Sequence, residues 1–351
     1  MTTVRVNASS AYDIVIGKGV LDDCGELISG VISPCRACIV TDDTVASLYL
    51  DRARASMESA GFEVLDFVFE HGESSKNTDT LISLLEFLAS NRFTRSDCLV
   101  ALGGGVVGDM CGFAAAIYLR SVRFVQIPTT LLAAVDSSVG GKTGVDLRAG
   151  KNLAGAFHQP SLVICDYSTL DTLPPEAFAD GCAEVIKYGI INDRAFFESL
   201  QDGIKNNIES VIATCVRAKR DIVEQDEFDV GARRLLNLGH TVGHAVEVCS
   251  NFEISHGSAV AIGTVIVMRA AASLGLCNAR ELDSVITALE RVGLPTSCSF
   301  TAEQLCAVAT ADKKRQGDTI ALVVPYSIGD TRILDLPIGE LCDFIGRGLQ
   351  I

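Results

Sequence analysis

Up to about residue 160, short apolar runs alternate with stretches in which apolar residues recur every three or four positions. The first pattern predicts buried strands and the second predicts amphipathic helices. Strands are predicted at 12–16, 37–41, 64–69, 98–102 and 123–127, and helices at 44–60 and 79–91. This alternation, with strands that are apolar along their length, indicates a parallel sheet with helices on both faces.

After residue 160 the helical period dominates. Helices are predicted at 175–191, 204–224, 234–249, 257–274, 280–292 and 303–311, and strands only at 319–324 and 332–336. The chain of 351 residues is long enough for two cores. We therefore predict an α/β domain with a Rossmann-like parallel sheet at 1–160 and a mainly α-helical domain at 161–351, with the functional site in the cleft between them.

A glycine-rich turn follows the strand predicted at 98–102. Residues 103–109 read GGGVVGD, which places three glycines where a strand meets a helix. Such a turn lets the backbone approach a pyrophosphate at the helix N-terminus. The spacing differs from GxGxxG, so a tight packing turn is the alternative. Asp42, at the end of an earlier strand, is a candidate ligand for a ribose hydroxyl, or else a helix N-cap.

Three of the five histidines fall between positions 240 and 256. His240 and His244 are spaced i, i+4 and share a helix face, and His256 opens the next predicted helix. Two imidazoles and a carboxylate such as Glu184 form the three-ligand set of a catalytic metal site. Spacing alone leaves open which two histidines bind, and core histidines are the alternative.

Glu184 and Lys187 are spaced i, i+3 in the sequence AEVIKYG. This spacing suits a surface ion pair. Their neighbours Val185, Ile186 and Tyr188 favour a buried helix instead, in which a charge needs a function.

The overall charge is −15, with 48% hydrophobic and 21% charged residues. This composition predicts a globular chain, and the negative charge argues against nucleic-acid or membrane partners. Between residues 103 and 160, however, the sequence contains five basic and three acidic residues. This local positive charge is expected of a pocket for a small anion. The most apolar helix candidate, at 259–268, is shorter than the ~20 residues that a bilayer requires.

The thirteen cysteines are irregularly spaced, and the N-terminus lacks the apolar core of a signal peptide. We therefore predict a reducing, cytoplasmic location with most thiols buried as small apolar groups. Cys35 and Cys38 form a lone CxxC, for which a redox or metal role is the less favoured interpretation.

These motifs together resemble the 3-dehydroquinate synthase family of the shikimate pathway. The resemblance covers nearly the whole chain and rests on eight ordered motifs: HGESSK (71–76), GGGVVGD (103–109), PTTLLAAVDSSVGGKTGVD (128–146), GKN (150–152), AEVIKYG (183–189), LNLGHTVGHAVE (236–247), HGSAVAIG (256–263) and ADKK (311–314). It implies an N-terminal nucleotide-binding domain, a C-terminal metal-binding domain and a homodimer.

The resemblance also implies roles for individual residues. The metal, zinc or cobalt, would bind Glu184, His240 and His256, with His244 nearby. NAD would contact Asp42, Glu73, Lys76, Gly104, Gly105, Val106, Val107, Gly108, Asp109, Thr129, Thr130, Lys142, Lys151, Thr169, Leu170 and Thr172. The substrate would be held by Arg120, Lys142, Lys151, Asn152, Lys187, Lys219, Arg233, Asn237 and one of Lys313 or Lys314, with Asp136 orienting the basic groups.

The reaction that the resemblance implies converts 3-deoxy-D-arabino-heptulosonate 7-phosphate to 3-dehydroquinate and phosphate. It proceeds by transient oxidation by NAD, phosphate elimination, reduction and an intramolecular aldol closure. The family usually reads HGEAV where this chain has Ser258, so a residue that orients a metal ligand is expected to be missing or replaced.

Three alternatives remain. Other sugar-phosphate cyclases would differ at substrate-contacting positions, whereas Lys219, Asn237 and the Lys313–Lys314 pair match the dehydroquinate pattern. A metal-dependent polyol dehydrogenase acts on an uncharged substrate and would not need the basic residues. A silent NAD-binding module would not need the metal triad.

Overall fold

The computed structural model describes residues 1–311 and 318–350, and the chain forms two compact units. Unit 1 contains Met1–Leu173 and Ile208–Phe228, and unit 2 contains Pro174–Asn207 and Asp229–Ile351. The boundary predicted after residue 160 differs from this division. The first unit extends to Leu173, and a segment of the predicted second domain returns to it.

Eleven strands form three sheets within the described residues. They are β1 (Thr2–Asn7), β2 (Ala11–Gly17), β3 (Arg36–Asp42), β4 (Glu63–Phe69), β5 (Cys98–Gly103), β6 (Arg123–Pro128), β7 (Lys142–Leu147), β8 (Gly150–Phe157), β9 (Leu162–Asp166), β10 (Thr319–Ser327) and β11 (Asp330–Pro337). The large sheet has the order β1-β2-β9-β6-β5-β3-β4, and β7–β8 and β10–β11 are hairpins.

The α-helices of the described chain are α1 (Cys24–Ser29), α2 (Asp43–Val45), α3 (Asp51–Ser59), α4 (Thr78–Ser90), α5 (Gly105–Ile117), α6 (Pro175–Asn192), α7 (Arg194–Ser199), α8 (Ile208–Gln225), α9 (His240–Cys249), α10 (His256–Ser273), α11 (Ala279–Arg291), α12 (Ala302–Ala311) and α13 (Leu341–Leu349). A π-helical turn at Ala46–Leu50 joins α2 to α3. Shorter 3-10 turns connect several of the others.

The large sheet is parallel except for β1, which pairs antiparallel with β2 at the edge. Separate apolar clusters cover its two faces, one built with α1 and α3 and the other with α4 and α5. The predicted α/β class and all five predicted strands of this sheet are therefore confirmed. The strands β1 and β9 complete it.

Helix α8 belongs to unit 1 because polar contacts join it to the sheet along its length. Thr2 Oγ1 donates to Glu209 Oε1 at 2.8 Å near the start of the helix. The Asn7 backbone N–H donates to Glu224 Oε1 at 2.6 Å near its end. Its apolar face is buried, including Ile212 and Val216, so the helix covers the β1–β2 side of the sheet.

Unit 2 is mainly helical and is built around α10. Among the described residues, α10 is the one helix long and apolar enough to span a membrane by length and composition alone. However, 72% of this helix is buried inside the protein, which is typical of a core helix packed on all sides.

A disulfide joins Cys306 of α12 to Cys342 of α13, so the predicted reduced state does not hold for this pair. The other eleven cysteines are free thiols. Eight of these are buried, which agrees with their predicted role as small apolar groups.

Candidate active site

Half of the residues predicted to bind NAD lie at the carboxyl ends of neighbouring parallel strands. The strands β9, β6, β5 and β3 are consecutive in the sheet, and ligands of open parallel sheets bind beyond such ends. The residues at this edge are Asp42 at the end of β3, Gly104 and Gly105 after β5, Thr129 and Thr130 after β6, and Thr169, Leu170 and Thr172 after β9.

The glycine turn after β5 packs tightly and opens helix α5. A Cβ atom on Gly104 would lie 3.1 Å from Thr130 Cγ2, and one on Gly108 would lie 2.7 Å from Gln126 Oε1. The turn and the first turns of α5 are therefore tightly packed, which is compatible with both interpretations. Among the described residues no side chain caps α5, so the first-turn N–H groups suit an anionic ligand. Phosphate binding itself stays a prediction.

Asp42 is a helix N-cap, one of its two predicted roles. Its Oδ1 accepts a hydrogen bond of 2.8 Å from the Val45 backbone N–H. A carboxylate can accept further hydrogen bonds, so this role is compatible with the predicted contact to a ribose hydroxyl.

Lys76 is buried and lies at the centre of a polar network in unit 1. Its Nζ donates to Asp109 Oδ2 and to Asn152 Oδ1, both at 2.6 Å. The Asn152 backbone N–H donates in turn to Asp146 Oδ1 at 2.7 Å. Burial lowers the pKa of Lys76, but the carboxylates of Asp109 and Glu73 outweigh it and raise that pKa above its ordinary value. The ammonium is therefore charged at neutral pH.

The β7–β8 hairpin carries three of the predicted site residues. Asn152 joins the Lys76 network, and Lys151 Nζ lies 3.4 Å from Glu73 Oε1. Lys142, at the start of β7, is exposed. No strand is predicted here because the segment is rich in glycine and has no apolar run.

Asp136 and Lys219 form a mostly buried ion pair in unit 1. Lys219 Nζ, on α8, donates to the backbone carbonyl of Asp136 at 2.8 Å and to its Oδ1 at 2.5 Å. Asp136 lies on a π-helical turn, Ala133–Ser137. The predicted orientation of a basic group by Asp136 agrees with this contact.

Arg120 is the predicted substrate ligand that the structure places elsewhere. It follows the C-terminus of α5, just before β6 begins. The 13 residues of α5 span about 20 Å, so Arg120 lies at the amino-terminal edge of the sheet, opposite the strand ends described above. Within one chain, Arg120 does not join the other predicted residues of unit 1.

Unit 2 brings Glu184, His240 and His256 together. One ligand atom from each lies within 4.8 Å of the others. The Nε2 atoms of both histidines lie 3.6 Å from Glu184 Oε1. Metal–ligand bonds of about 2.0–2.2 Å in a tetrahedral array separate neighbouring ligand atoms by about 3.3–3.6 Å. The geometry therefore suits a divalent ion.

Glycines let the helices that carry these three residues approach closely. A Cβ atom on Gly257 would lie 2.3 Å from Asp180 Cα, and one on Gly263 would lie 2.1 Å from the carbonyl oxygen of Gly239. Gly239 itself has φ of +77° and is the N-cap of α9, two residues after the 3-10 turn Ala232–Asn237. The helix predicted at 234–249 is interrupted there, which makes His240 the first residue of α9.

Buried neighbours fix both imidazoles. His240 Nδ1 lies 3.0 Å from the carbonyl oxygen of Leu238, which can only accept, so Nδ1 carries the proton and Nε2 faces Glu184. Burial lowers the pKa of His240 to about 3, which keeps the ring neutral. His256 Nδ1 lies 3.6 Å from Glu247 Oε2. Burial lowers the pKa of His256, but the carboxylates of Glu184 and Glu247 outweigh it and raise that pKa to about 10.

Glu247 was not among the predicted site residues. It is 2% exposed, and it groups with His244 and His256 in a second set of potential ligand atoms within 4.8 Å of one another. Its spacing from His244, i to i+3 on α9, was the available signal in the sequence.

Ser258 lies beside Asp180, at the start of α10. Its backbone N–H donates to Asp180 Oδ1 at 3.1 Å, and Ser255 Oγ donates to the same oxygen at 2.6 Å. Asp180 is one helical turn before Glu184 on α6. The carboxylate that faces His256 comes from Glu247, whereas position 258 serves the junction of α10 with α6.

The remaining predicted residues of unit 2 are distributed around the metal-type cluster or along the preceding turn. Lys187 is buried and pairs with Glu184. His244 is exposed, with its ring centroid 5.5 Å from that of His240. Arg233 is buried and Asn237 exposed, both on the turn before α9. Lys313 and Lys314 lie outside the described residues.

Comparison with known proteins adds independent information. A family model described as 3-dehydroquinate synthase N-terminal matches residues 66–180, and one described as 3-dehydroquinate synthase C-terminal matches residues 181–315. The 3-dehydroquinate synthase of Streptococcus suis (strain 05ZYH33) is 43% identical over 347 residues, covering 96% of this chain and 97% of its own.

Two solved structures share the fold over nearly the whole chain. A 2-deoxy-scyllo-inosose synthase complexed with carbaglucose-6-phosphate, NAD+ and Co2+ has a TM-score of 0.88 at 24% identity, covering 99% of this chain and 100% of that one. A 2-epi-5-epi-valiolone synthase from Streptomyces hygroscopicus subsp. jinggangensis 5008, with NAD+ and Zn2+ bound, has a TM-score of 0.87 at 27% identity, covering 97% and 98%.

The fold and the cluster of two histidines and a glutamate define a class of enzymes that join an α/β unit to a helical unit with a metal-type site. The matches across both halves of the chain are specific within that class. The chain belongs to the 3-dehydroquinate synthase family, whose members are phosphate-eliminating lyases of aromatic amino acid biosynthesis. The resemblance inferred from the motifs is confirmed.

Proposed function

We propose that this chain converts 3-deoxy-D-arabino-heptulosonate 7-phosphate to 3-dehydroquinate and phosphate, with NAD and one divalent ion, zinc or cobalt. The observation that carries the proposal is the convergence of Glu184, His240 and His256 on one point in a chain of this family.

The residues present fit both cofactors. The two Nε2 atoms and one carboxylate oxygen are ligands that zinc and cobalt accept, and the uncapped N-terminus of α5 suits a pyrophosphate. When bound, the ion polarises a substrate hydroxyl and NAD accepts and returns a hydride. We assign the ion to Glu184, His240 and His256.

For NAD, we assign the pyrophosphate to the N–H groups of the turn at Gly104 and Gly105. Asp42 would accept a hydrogen bond from a ribose hydroxyl, and Lys76 would hold the loop after β4 against α5 through Asp109. These residues would hold the nicotinamide in one orientation. The reaction then requires less loss of translational and rotational entropy to reach its transition state.

For the substrate, we assign its phosphate and carboxylate to the basic and amide side chains around the two sites. Cations held by buried partners need little reorganisation when an anion arrives, so they stabilise developing charge well. These residues are Lys142, Lys151, Asn152 and Lys219 of unit 1, and Lys187, Arg233 and Asn237 of unit 2. Asp136 keeps Lys219 in place, and His244 is a candidate proton carrier beside the ligands.

The test is release of inorganic phosphate from the heptulosonate phosphate, measured with and without NAD and metal. Activity should require both, disappear with a strong chelator, and return on addition of zinc or cobalt. Ketone product should form without net accumulation of NADH, because the hydride is returned.

Two counter-substrates separate the alternatives. A hexose 6-phosphate tests for a cyclase that makes another carbocycle, and glycerol tests for a polyol dehydrogenase. Turnover of either in preference to the heptulosonate phosphate would overturn the proposal. Steady formation of free NADH with glycerol would identify a dehydrogenase.

We further propose that the chain acts in the cytoplasm as a homodimer, as the family resemblance implies. Light scattering coupled to size-exclusion chromatography tests the assembly, since a monomeric mass in the active enzyme would contradict it.

A further inference from the structure

Cys35 and Cys98 form a thiol pair that the proposed reaction does not use. Their sulfur atoms lie 3.9 Å apart. The pair suggested by the sequence was Cys35 with Cys38, in the CxxC spacing. However, Cys35 and Cys98 pack in the apolar cluster on one face of the large sheet, and Cys38 packs in the cluster on the other face. The sheet therefore separates the two cysteines of the CxxC motif.

We propose that Cys35 and Cys98 are a site of oxidative modification, at which a hydroperoxide produces a disulfide. The strands β3 and β5 are parallel neighbours with Ala37 opposite Cys98. Because side chains alternate along a strand, Cys35 lies on the same face as Ala37, two residues away. A disulfide requires the sulfur atoms to close from 3.9 Å to about 2.05 Å. Because Ala37 rather than Cys35 is opposite Cys98, closure also requires the backbone just before β3 to shift toward β5.

The two thiols differ in the way that such a reaction needs. Cys35 is partly exposed, whereas Cys98 is completely buried. The hydrogen bond between the sulfurs lowers the pKa of Cys35, and the guanidinium of Arg123 adds to this effect. The same hydrogen bond and burial raise the pKa of Cys98. An accessible thiol of lowered pKa beside a second thiol is the arrangement of oxidisable cysteines.

The chemistry balances as two steps. The Cys35 thiolate attacks one oxygen of the hydroperoxide and breaks the O–O bond, which gives a sulfenic acid and releases water or an alcohol. The Cys98 sulfur then attacks the sulfenic sulfur, and its proton leaves with the displaced hydroxide as water. Two thiols lose two electrons in total, and the peroxide gains them.

The cross-link would form far from the proposed active site. Cys98 begins β5, and the glycine turn follows the other end of this six-residue strand, about 20 Å away at the usual rise per residue. Oxidation should therefore leave catalysis unchanged within twofold, while joining β3 to β5 and raising the melting temperature of the protein.

The test is peptide mapping of the holoenzyme after exposure to hydrogen peroxide, with remaining thiols alkylated and no reducing agent. Trypsin cleaves after Arg36, so Cys35 and Cys38 fall in different peptides. We expect peptide 19–36 to be linked to peptide 96–120. Fragmentation of the linked pair should place the bond at Cys35 and Cys98 rather than at Cys24 or Cys111, the second cysteines of these peptides. Absence of this cross-link, or linkage of Cys35 to Cys38, would overturn the proposal.

Two variants test the order of events. In Cys98→Ser, the sulfenic acid at Cys35 should persist and react with dimedone several-fold more than in the unmodified chain. In Cys38→Ser, the Cys35–Cys98 cross-link should form as before. Equal dimedone labelling of Cys35 with and without Cys98 would show that Cys98 does not resolve the sulfenic acid. The mapping of the unmodified chain stands independently of how well either variant folds.

Discussion

At the scale of single residues, Glu247 is the buried carboxylate that faces the second nitrogen of His256. A carboxylate in this position orients the imidazole and increases its basicity as a ligand. We therefore regard Glu247 as a positioning residue, which acts on the metal through His256. The family resemblance, not spacing alone, proposed the three ligands, and it did not show which side chain lies behind each one.

We predict that Glu247→Gln weakens metal binding by about 10- to 100-fold. The amide keeps the size of the side chain and removes the negative charge. The measurement is zinc affinity of the metal-free protein, by competition with a fluorescent chelator. Glu253→Gln is the matched control because Glu253 is exposed, and it should bind zinc like the unmodified chain. Unchanged affinity in Glu247→Gln would contradict the assignment.

The pair of Asp136 and Lys219 gives a second prediction. Removing one partner of a mostly buried ion pair leaves an uncompensated charge, which costs about 3–5 kcal/mol. The free energies of unfolding lost in Asp136→Ala and in Lys219→Ala should therefore add up to more than the loss in the double variant. A double-mutant cycle of thermal unfolding measures this coupling. Additive effects would show that the two side chains act independently.

A motif carried over from the family names a residue but does not place it in the fold. Arg120 matches the family pattern, yet it lies at the sheet edge opposite the predicted cofactor residues. The edge of the sheet at which such a residue lies depends on where the preceding helix begins and ends, and a sequence motif does not contain this information.

At the scale of elements, the junction of α6, α9 and α10 sets the metal site. Gly257 lets the first turn of α10 lie against the backbone of α6 at Asp180. Glu184, His240 and His256 come from three different helices, so their mutual distances depend on this backbone contact.

We predict that Gly257→Ala destabilises unit 2 and impairs metal binding. The added Cβ would lie 2.3 Å from Asp180 Cα, so the helices must move apart, and such overpacking costs about 1–3 kcal/mol. Thermal unfolding and zinc titration both report the effect. Gly339→Ala is the control, since a Cβ there meets no atom within 4 Å. Equal behaviour of the two variants would refute this role for Gly257.

Apolar runs predicted five of the seven strands of the large sheet, as expected where strands are buried. The edge strand β1 and the buried strand β9 were not predicted. The β7–β8 hairpin was missed because it contains several glycines and is partly exposed. The helix predicted at 234–249 was too long, since the positive φ of Gly239 is not visible in a helical pattern.

At the scale of the whole molecule, the chain passes between the two units three times. Helix α8 is flanked in sequence by unit 2 but contacts the sheet of unit 1. The hydrophobic periodicity predicted this helix correctly. It could not show which unit the helix packs against, because the apolar face of a helix can pack on any apolar surface.

We predict that hydrogen exchange will distinguish the units by ligand. Saturating NAD at about 100 times its Kd stabilises the state that binds it by about 2.7 kcal/mol, so it should slow exchange in unit 1, including 208–228. Zinc should instead protect α6, α9 and the start of α10. Protection of 208–228 by zinc but not by NAD would contradict the assignment of α8 to unit 1.

The return of α8 to the first unit has a consequence during translation. The last strand of the large sheet, β9, is made well before residue 228, and residues 174–228 take roughly 3–11 s to synthesise at 5–20 residues per second. The β1–β2 side of the nascent sheet stays uncovered for that interval. A ribosome-bound chaperone could shield this face of the sheet during that interval.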